Sequence, residues 1–302
     1  MKTRGKRRTK RKICAADRAL IIFCYTCVFL VVAVTFVPFW ELAATSLCTR
    51  ADAARSGIRL FTANPTLDAY RQVLSSKNIW NSAWNSVVRV VLGTVISVGL
   101  TALTAYPLSK ADFIGVKFFT VAILFTMVFS GGLIPSYFLI TKTLHMTDSI
   151  WSMILPGAVG AYNLIIMRNF LRSIPQSLED AARIDGAGEL YVWWRIVMPL
   201  SKPVLATVAL WKAVDHWNAY FDCLLYIRDQ SKFVLQILLR RVLVEQQMAM
   251  LQEGFMVDMT SKPTEATVRA ALILISTLPI VLVYPFLQKY FMQGIMLGGV
   301  KE

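Results

Sequence analysis

The chain has 302 residues, of which 56% are hydrophobic; its mean hydropathy is +0.54 and its formal charge +14. That apolar share exceeds the roughly 45–50% of an ordinary soluble domain, which excludes one here. The charge is also badly distributed for a nucleic-acid binder: nine Lys and Arg residues fall within positions 1–18, and long uncharged stretches follow. A basic tail directly ahead of an apolar run reads instead as a cytoplasmic anchor beside membrane lipid, with no nucleic-acid partner.

A crossing helix needs about 20 mainly apolar residues. Six segments meet or approach that length: Ala19–Trp40, Ser86–Leu108, Val116–Ile140, Ile150–Phe170, Pro203–Ile227 and Ala266–Leu287. The expected fold is therefore an all-α integral membrane protein with six transmembrane helices. Residues 1–18 form a basic tail, and 19–302 one transmembrane domain whose cytoplasmic loop is 173–202. The first segment is longer than the usual 7–15-residue core of a signal peptide and lacks a clean cleavage site, so it reads as an uncleaved anchor. Its Cys24 and Cys27 form a C-x-x-C with no second pair or histidine nearby. With Cys14, Cys48 and Cys223 they are expected to be packed small hydrophobes, with neither a metal nor a disulfide framework.

The connections then alternate. Glu41–Asn85 is long and polar, with a short helix expected after a cap near Thr66. Arg89, near the start of the second segment, is expected to snorkel to the interface. Lys110–Gly115 and Thr141–Ser149 read as tight turns. Within the third segment, "FSGGLIP" (Phe129–Pro135) allows a kink, open to reading as a gate or as packing. Pro156, Pro279 and Pro285 are further kink candidates. Six crossings from a basic cytoplasmic tail put both termini and Ser173–Lys202 inside, and Glu41–Asn85 and Arg228–Glu265 outside.

Ser173–Pro203, "SIPQSLEDAARIDGAGELYVWWRIVMPLSKP", is a polar, helix-prone interruption. Ser173 and Gln176 have capping-box spacing, and Pro175 suits a first turn. Ile174, Leu178, Ala181 and Ala182 share one side at helical spacing, while Glu179, Asp180, Arg183 and Asp185 take much of the rest. Gly186, with Gly188 behind it, stops the helix. A second short helix, Glu189–Val197, then leads to Pro199 and Pro203. The result is a bent foot under the membrane. Its acidic face suits protein docking better than the negative inner leaflet, with lipid contact or self-packing as the alternative.

In the fifth segment Trp211, Asp215, Asn218 and Asp222 recur at helical spacing, which predicts one polar stripe. Charges near mid-membrane are costly, about 2.5–3.5 kcal/mol each on insertion scales, so the stripe should face the bundle interior or water. Lys212 is placed to partner Asp215. The stripe suits sugar hydroxyls along a pathway, or equally an interhelical network that holds the bundle.

The foot resembles the cytoplasmic "EAA" loop of ABC importer permeases, whose pattern is E-A-A, three residues, G, nine residues, I-x-L-P. Here the chain reads Asp180-Ala181-Ala182, then Gly186, then Ile196-Val197-Met198-Pro199, with the spacing intact. Asp180 stands where Glu is usual and Met198 where Leu is. "EDAARIDGA", "PLSKP", "NPTLDAYRQVL" and "YPFLQKYFMQGIMLGG" are similar to the sugar-type, maltose-like branch, so the likeness covers nearly the whole chain. The resemblance implies a coupling helix at Glu179–Gly186 seated in an ATPase subunit, with Glu179, Asp180, Ala181, Ala182, Asp185, Gly186, Ile196 and Pro199 as coupling residues. It further implies a second permease subunit, two ATPase subunits and an extracellular solute-binding protein, serving carbohydrate import at the plasma membrane.

No G-x-x-x-x-G-K-[ST] occurs, so ATP hydrolysis would belong to a separate subunit, and the chain is expected to be a permease without catalytic residues, metal or cofactor. A gradient-driven transporter using Asp215 and Asp222 as a relay, or a membrane enzyme, would leave the foot unexplained.

Overall fold

The structure is a computed structural model that describes residues 15–53, 61–62, 64–242 and 265–299, and every regular element among them is helical. Most of the basic tail, with Cys14, and residues 243–264 of the expected outer loop lie outside the described residues. The helices are α1 (Ala15–Ser46), α2 (Arg50–Ala53), α3 (Asp68–Ser75), α4 (Lys77–Ser109) and α5 (Val116–Val128). Next come α6 (Leu133–Thr143), α7 (Trp151–Gly157), α8 (Ala161–Arg172), α9 (Gln176–Ile184), α10 (Glu189–Leu200) and α11 (Lys202–Asn218). The last are α12 (Phe221–Tyr226), α13 (235–242) and α14 (Glu265–Gly299).

Three helices are long and apolar enough to cross a membrane: α1 over Asp17–Ser46, α4, and α14 over Ala266–Val283. Three bent pairs pass the same test together: α5 with α6 at 110°, α7 with α8 at 52°, and α10 with α11 at 79°. Up to six spans result if each pair is one. The third and fourth expected spans are thus broken rather than single helices; the bend of the third pair, at Ser201, precedes the expected fifth span, which is interrupted instead at Ala219. The glycines of "FSGGLIP" do more than kink: Gly132 adopts φ 85°, ψ 172°, a region open essentially to glycine alone, and the chain turns sharply there. The expected short helix after Thr66 begins at Asp68.

The chain divides into two compact units, Met1–Ala69 with Thr260–Ala271, and Tyr70–Met259 with Leu272–Glu302. In the first unit α1 carries Cys24 and Cys27 as exposed free thiols, and Cys48 is a buried one. Its backbone continues to Thr66, whose N–H donates to the Leu47 carbonyl at 2.8 Å.

The second unit is built on α4, which packs against α8 and α11. Its buried positions are mostly small: Ser82, Ser86, Gly93, Ser97, Thr101 and Ala105, spaced three to four residues apart around Arg89. Such a stripe lets another helix backbone come close, as helix pairs in lipid require. At Gly93 the approach leaves no space, since an added Cβ would lie 2.5 Å from the His216 Nε2 of α11. Toward its Ser109 end, Ala102 and Ala105 join Met167 and Leu171 of α8, Val192 and Val197 of α10, and Val204 and Val208 of α11 in one buried cluster. A second cluster gathers Met153, Cys223, Ile227, Phe233, Val234 and Ile237.

Candidate functional site

The foot forms as α9, a glycine elbow and α10. Helix α9 ends in a Schellman arrangement: the Ala187 N–H reaches the Ala182 carbonyl at 2.9 Å and the Gly186 N–H reaches that of Arg183 at 3.0 Å. Gly186 has φ 84°, the left-handed conformation that arrangement demands. The start of α9 differs from expectation. Pro175 occupies the N-cap without a side-chain cap, and the Ser173 hydroxyl donates to the Phe170 carbonyl at 2.6 Å instead. No capping box forms, because Ser173 is held by the end of α8.

The two faces of α9 divide differently from the simple apolar-versus-acidic pattern. Ala182 and Ile174 pack on the main cluster, while Leu178, Ala181 and Ile184 are exposed, Ile184 at 86%. Asp180, Asp185 and Gly186 are exposed as well. Glu179 is the exception among the acids, buried at 2%. It forms an ion pair with Lys110, accepts from the Tyr106 hydroxyl at 3.1 Å, and lies 3.3 Å from Arg183 Nη2. Arg183 also pairs with Asp180 at 2.9 Å and with Glu189 of α10 at 2.7 Å. The Glu189 hydrogen bond pushes the Arg183 guanidinium still further up from its ordinary value. In α10 the residues Trp193–Val197 widen into a π turn; Ile196 is half-buried on the main cluster and Pro199 is exposed.

The polar stripe of the fifth segment is not continuous. Helix α11 ends at Asn218, the backbone turns extended at Ala219, and Asp222 belongs to α12. Trp211 stacks obliquely on Tyr162, with ring centroids 5.8 Å apart. Asp215 and Asn218 are exposed. Lys212, expected beside Asp215, instead donates to the Gly157 carbonyl at 2.8 Å. Asp222 is bound by Arg89, which is 1% exposed and far from snorkelling. Arg89 donates further to the carbonyls of Ala219 at 3.0 Å and Met153 at 3.3 Å.

A single rule accounts for both cations. Broken helices leave carbonyls without helical partners, and in a lipid-depth setting those must be satisfied by protein groups. Arg89 and Lys212 do this at the breaks after α11 and α7, where the carbonyl end of a helix also favours positive charge. Around them Arg89, Lys212, Asp215, His216 and Asp222 line a cavity of about 380 Å³. Sequence reasoning missed Tyr106, Lys110 and Arg89 as members of these clusters. For Lys110 and Arg89 the local signal was a charge beside or within an apolar segment, and Tyr106 carried no such signal.

Residues 85–297 match the family described as binding-protein-dependent transport system inner membrane component. The chain belongs to this family. It is therefore a multi-pass membrane permease component. This permease is similar to the polygalacturonan/rhamnogalacturonan transport system permease protein YtcP of Bacillus subtilis (strain 168), with 40% identity over 287 residues, 93% of this chain and 97% of that one. It is 42% identical to Protein LplC of the same organism over 269 residues, covering 89% of this chain and 90% of that one. Among solved structures it is similar to a chain of a bacterial ABC transporter involved in the import of the acidic polysaccharide alginate, with TM-score 0.83, 32% identity, and coverage of 93% of this chain and 100% of that one.

Proposed function

We propose that this permease is one subunit of an ATP-driven importer carrying an oligosaccharide across the plasma membrane, with both termini cytoplasmic. One observation carries the reading: a two-helix foot buries one face on the transmembrane core and leaves Asp180, Ala181, Ile184 and Asp185 exposed on the other. That exposed face suits a separate ATPase subunit, two copies of which would serve this chain and a second, related permease. Gly186 sets the elbow, and Ile196 and Pro199 carry the push from the foot toward α11. The segments 41–85 and 228–265 would meet an extracellular solute-binding protein. The cargo class is supported by a relative named for polygalacturonan/rhamnogalacturonan transport and by a solved neighbour described as importing the acidic polysaccharide alginate.

Asp215, which lines the cavity, and Trp211 and Asn218 on the same helix are the proposed contacts for sugar hydroxyls, since aromatic faces with nearby carboxylate and amide groups suit them. Asp222 lines the same cavity while tied to Arg89, so its part is to shape the wall. The deciding experiment replaces Gly186 with leucine in the assembled complex. Cargo-dependent ATP hydrolysis should disappear while membrane insertion is retained. Uptake that persists with the ATPase subunits absent would overturn the reading.

A further inference from the structure

Glu179 sits in the segment whose role is ATPase contact, yet its carboxylate points into the permease. Its side chain is 3% exposed and is held by two helices at once. From α4 come Tyr106 and, at its C-cap, Lys110; from α9 itself comes Arg183. The Tyr106 hydroxyl lies 3.1 Å from Glu189 of α10 as well, and Arg183 joins Glu189 to Asp180. Glu179 is thus where the charges of the foot meet those at the end of α4.

We propose that this cluster is the link through which the foot moves α4, and that Glu179 is a positioning residue for coupling rather than a contact for the ATPase. The inference rests on the reading of the foot as the ATPase dock. Its physical basis is the cost of separation. If α9 slid relative to α4, Glu179 would lose Lys110 and Tyr106 together, leaving a buried carboxylate with only the longer contact to Arg183. The foot and the end of α4 are therefore cheaper to move as one body than apart. Helix α4 in turn packs on α8 and α11, so its displacement reaches the cavity wall at Arg89 and His216. Labour is divided along one helix: Asp180, Ala181, Ile184 and Asp185 face outward, and Glu179 faces inward.

The test is hydrogen–deuterium exchange of the assembled permease–ATPase complex, with and without Mg-ATP, in the intact protein and in Glu179→Gln, Lys110→Met, Lys110→Arg and Tyr106→Phe. In the intact complex ATP should change exchange both in the foot, residues 176–187, and at the end of α4, residues 102–109. Glu179→Gln and Lys110→Met should keep the foot response and lose that of α4. Lys110→Arg should retain both, and Tyr106→Phe, the mildest change, should weaken the α4 response alone. If α4 still responds fully in Glu179→Gln and Lys110→Met, the link is overturned. If the foot response vanishes in those variants, Glu179 acts at the dock and the inference is again overturned. No foot response in the intact complex would instead sink the docking reading itself, and the inference with it.

Discussion

Arg89 and Asp222, 133 residues apart, form a two-pronged ion pair: Nη1 donates to Oδ1 at 3.1 Å and Nη2 to Oδ2. The same guanidinium accepts the task of satisfying the Ala219 carbonyl, released where α11 ends. Arg89 is buried while the Asp222 side chain is about a quarter exposed, so removing Asp222 leaves a buried guanidinium uncompensated, at a cost of up to about 3–5 kcal/mol. Asp222→Ala is expected to lose stability of that order, read as a drop in melting temperature of the detergent-solubilised protein. Arg89→Lys should fail to rescue, because an ammonium cannot match a carboxylate with two parallel donors while reaching two carbonyls. An Asp222→Ala protein as stable as the parent would show that the pair does not hold the break.

Two glycines of α4 should respond in opposite senses. At Gly93 an added methyl would fall 2.5 Å from Nε2 and 2.7 Å from Cδ2 of His216, so the imidazole or the helix must shift. Overpacking of that kind typically costs about 1–3 kcal/mol. At Gly99 an added Cβ would meet nothing within 4 Å, and alanine in a helix interior is favoured by about 0.5–1 kcal/mol. Gly93→Ala should therefore lower the melting temperature, with recovery in Gly93→Ala/His216→Ala, and Gly99→Ala should hold or raise it. Equal effects at the two sites would contradict the close approach of α11.

The missing capping box also has a measurable consequence. Loss of a true N-cap hydroxyl costs about 0.5–2 kcal/mol. Because the Ser173 hydroxyl serves the Phe170 carbonyl and not α9, Ser173→Ala should leave the α9 amides as protected from exchange as before. A selective loss of protection over residues 176–179 would restore the capping box.

What could be read from the sequence follows from range. The foot was legible because its signals are local: Gly186 at a helix end, and Asp180 to Pro199 at fixed spacing. The side on which Glu179 lies was not, since a helical pattern gives angles between residues but not which direction is inward. Lys110 looked like part of a tight turn because its partner is 69 residues away. The stripe from Trp211 to Asp222 assumed an unbroken helix, and "NAYFD" carries no glycine or proline to warn otherwise. That break depends on Arg89, far off in sequence, which is also why Arg89 seemed destined for the interface. The apolar lengths gave the spans and "FSGGLIP" marked the turn at Gly132, whose carbonyl is met locally by Ser136, whereas the carbonyl at the bend after Gly157 is satisfied by Lys212, 55 residues further on.

The last prediction concerns pH. Asp148, in the left-handed conformation at φ 55°, accepts from the backbone N–H groups of Arg228 and Asp229 at 2.5 and 2.9 Å. These hydrogen bonds, from Asp229 first and then Arg228, hold its carboxyl below the usual carboxylate value. A group whose value is lowered by folding stabilises the fold wherever it is ionised. That contribution is complete above the unfolded value of about 3.9 and is lost as pH falls through the lower folded value. Protection of the Arg228 and Asp229 amides, measured by exchange as protection factors, should thus stay constant from neutral pH to about 4 and fall only below it. Asp229 is lowered too, through the N–H and hydroxyl of Ser231, so the two carboxyls must be separated. Asp148→Asn does so: asparagine keeps the left-handed backbone but carries no titrating group. Its Arg228 and Asp229 amides should be less protected at neutral pH, and no acid-linked step should remain for them. A step that survived in Asp148→Asn would assign the transition to Asp229 instead.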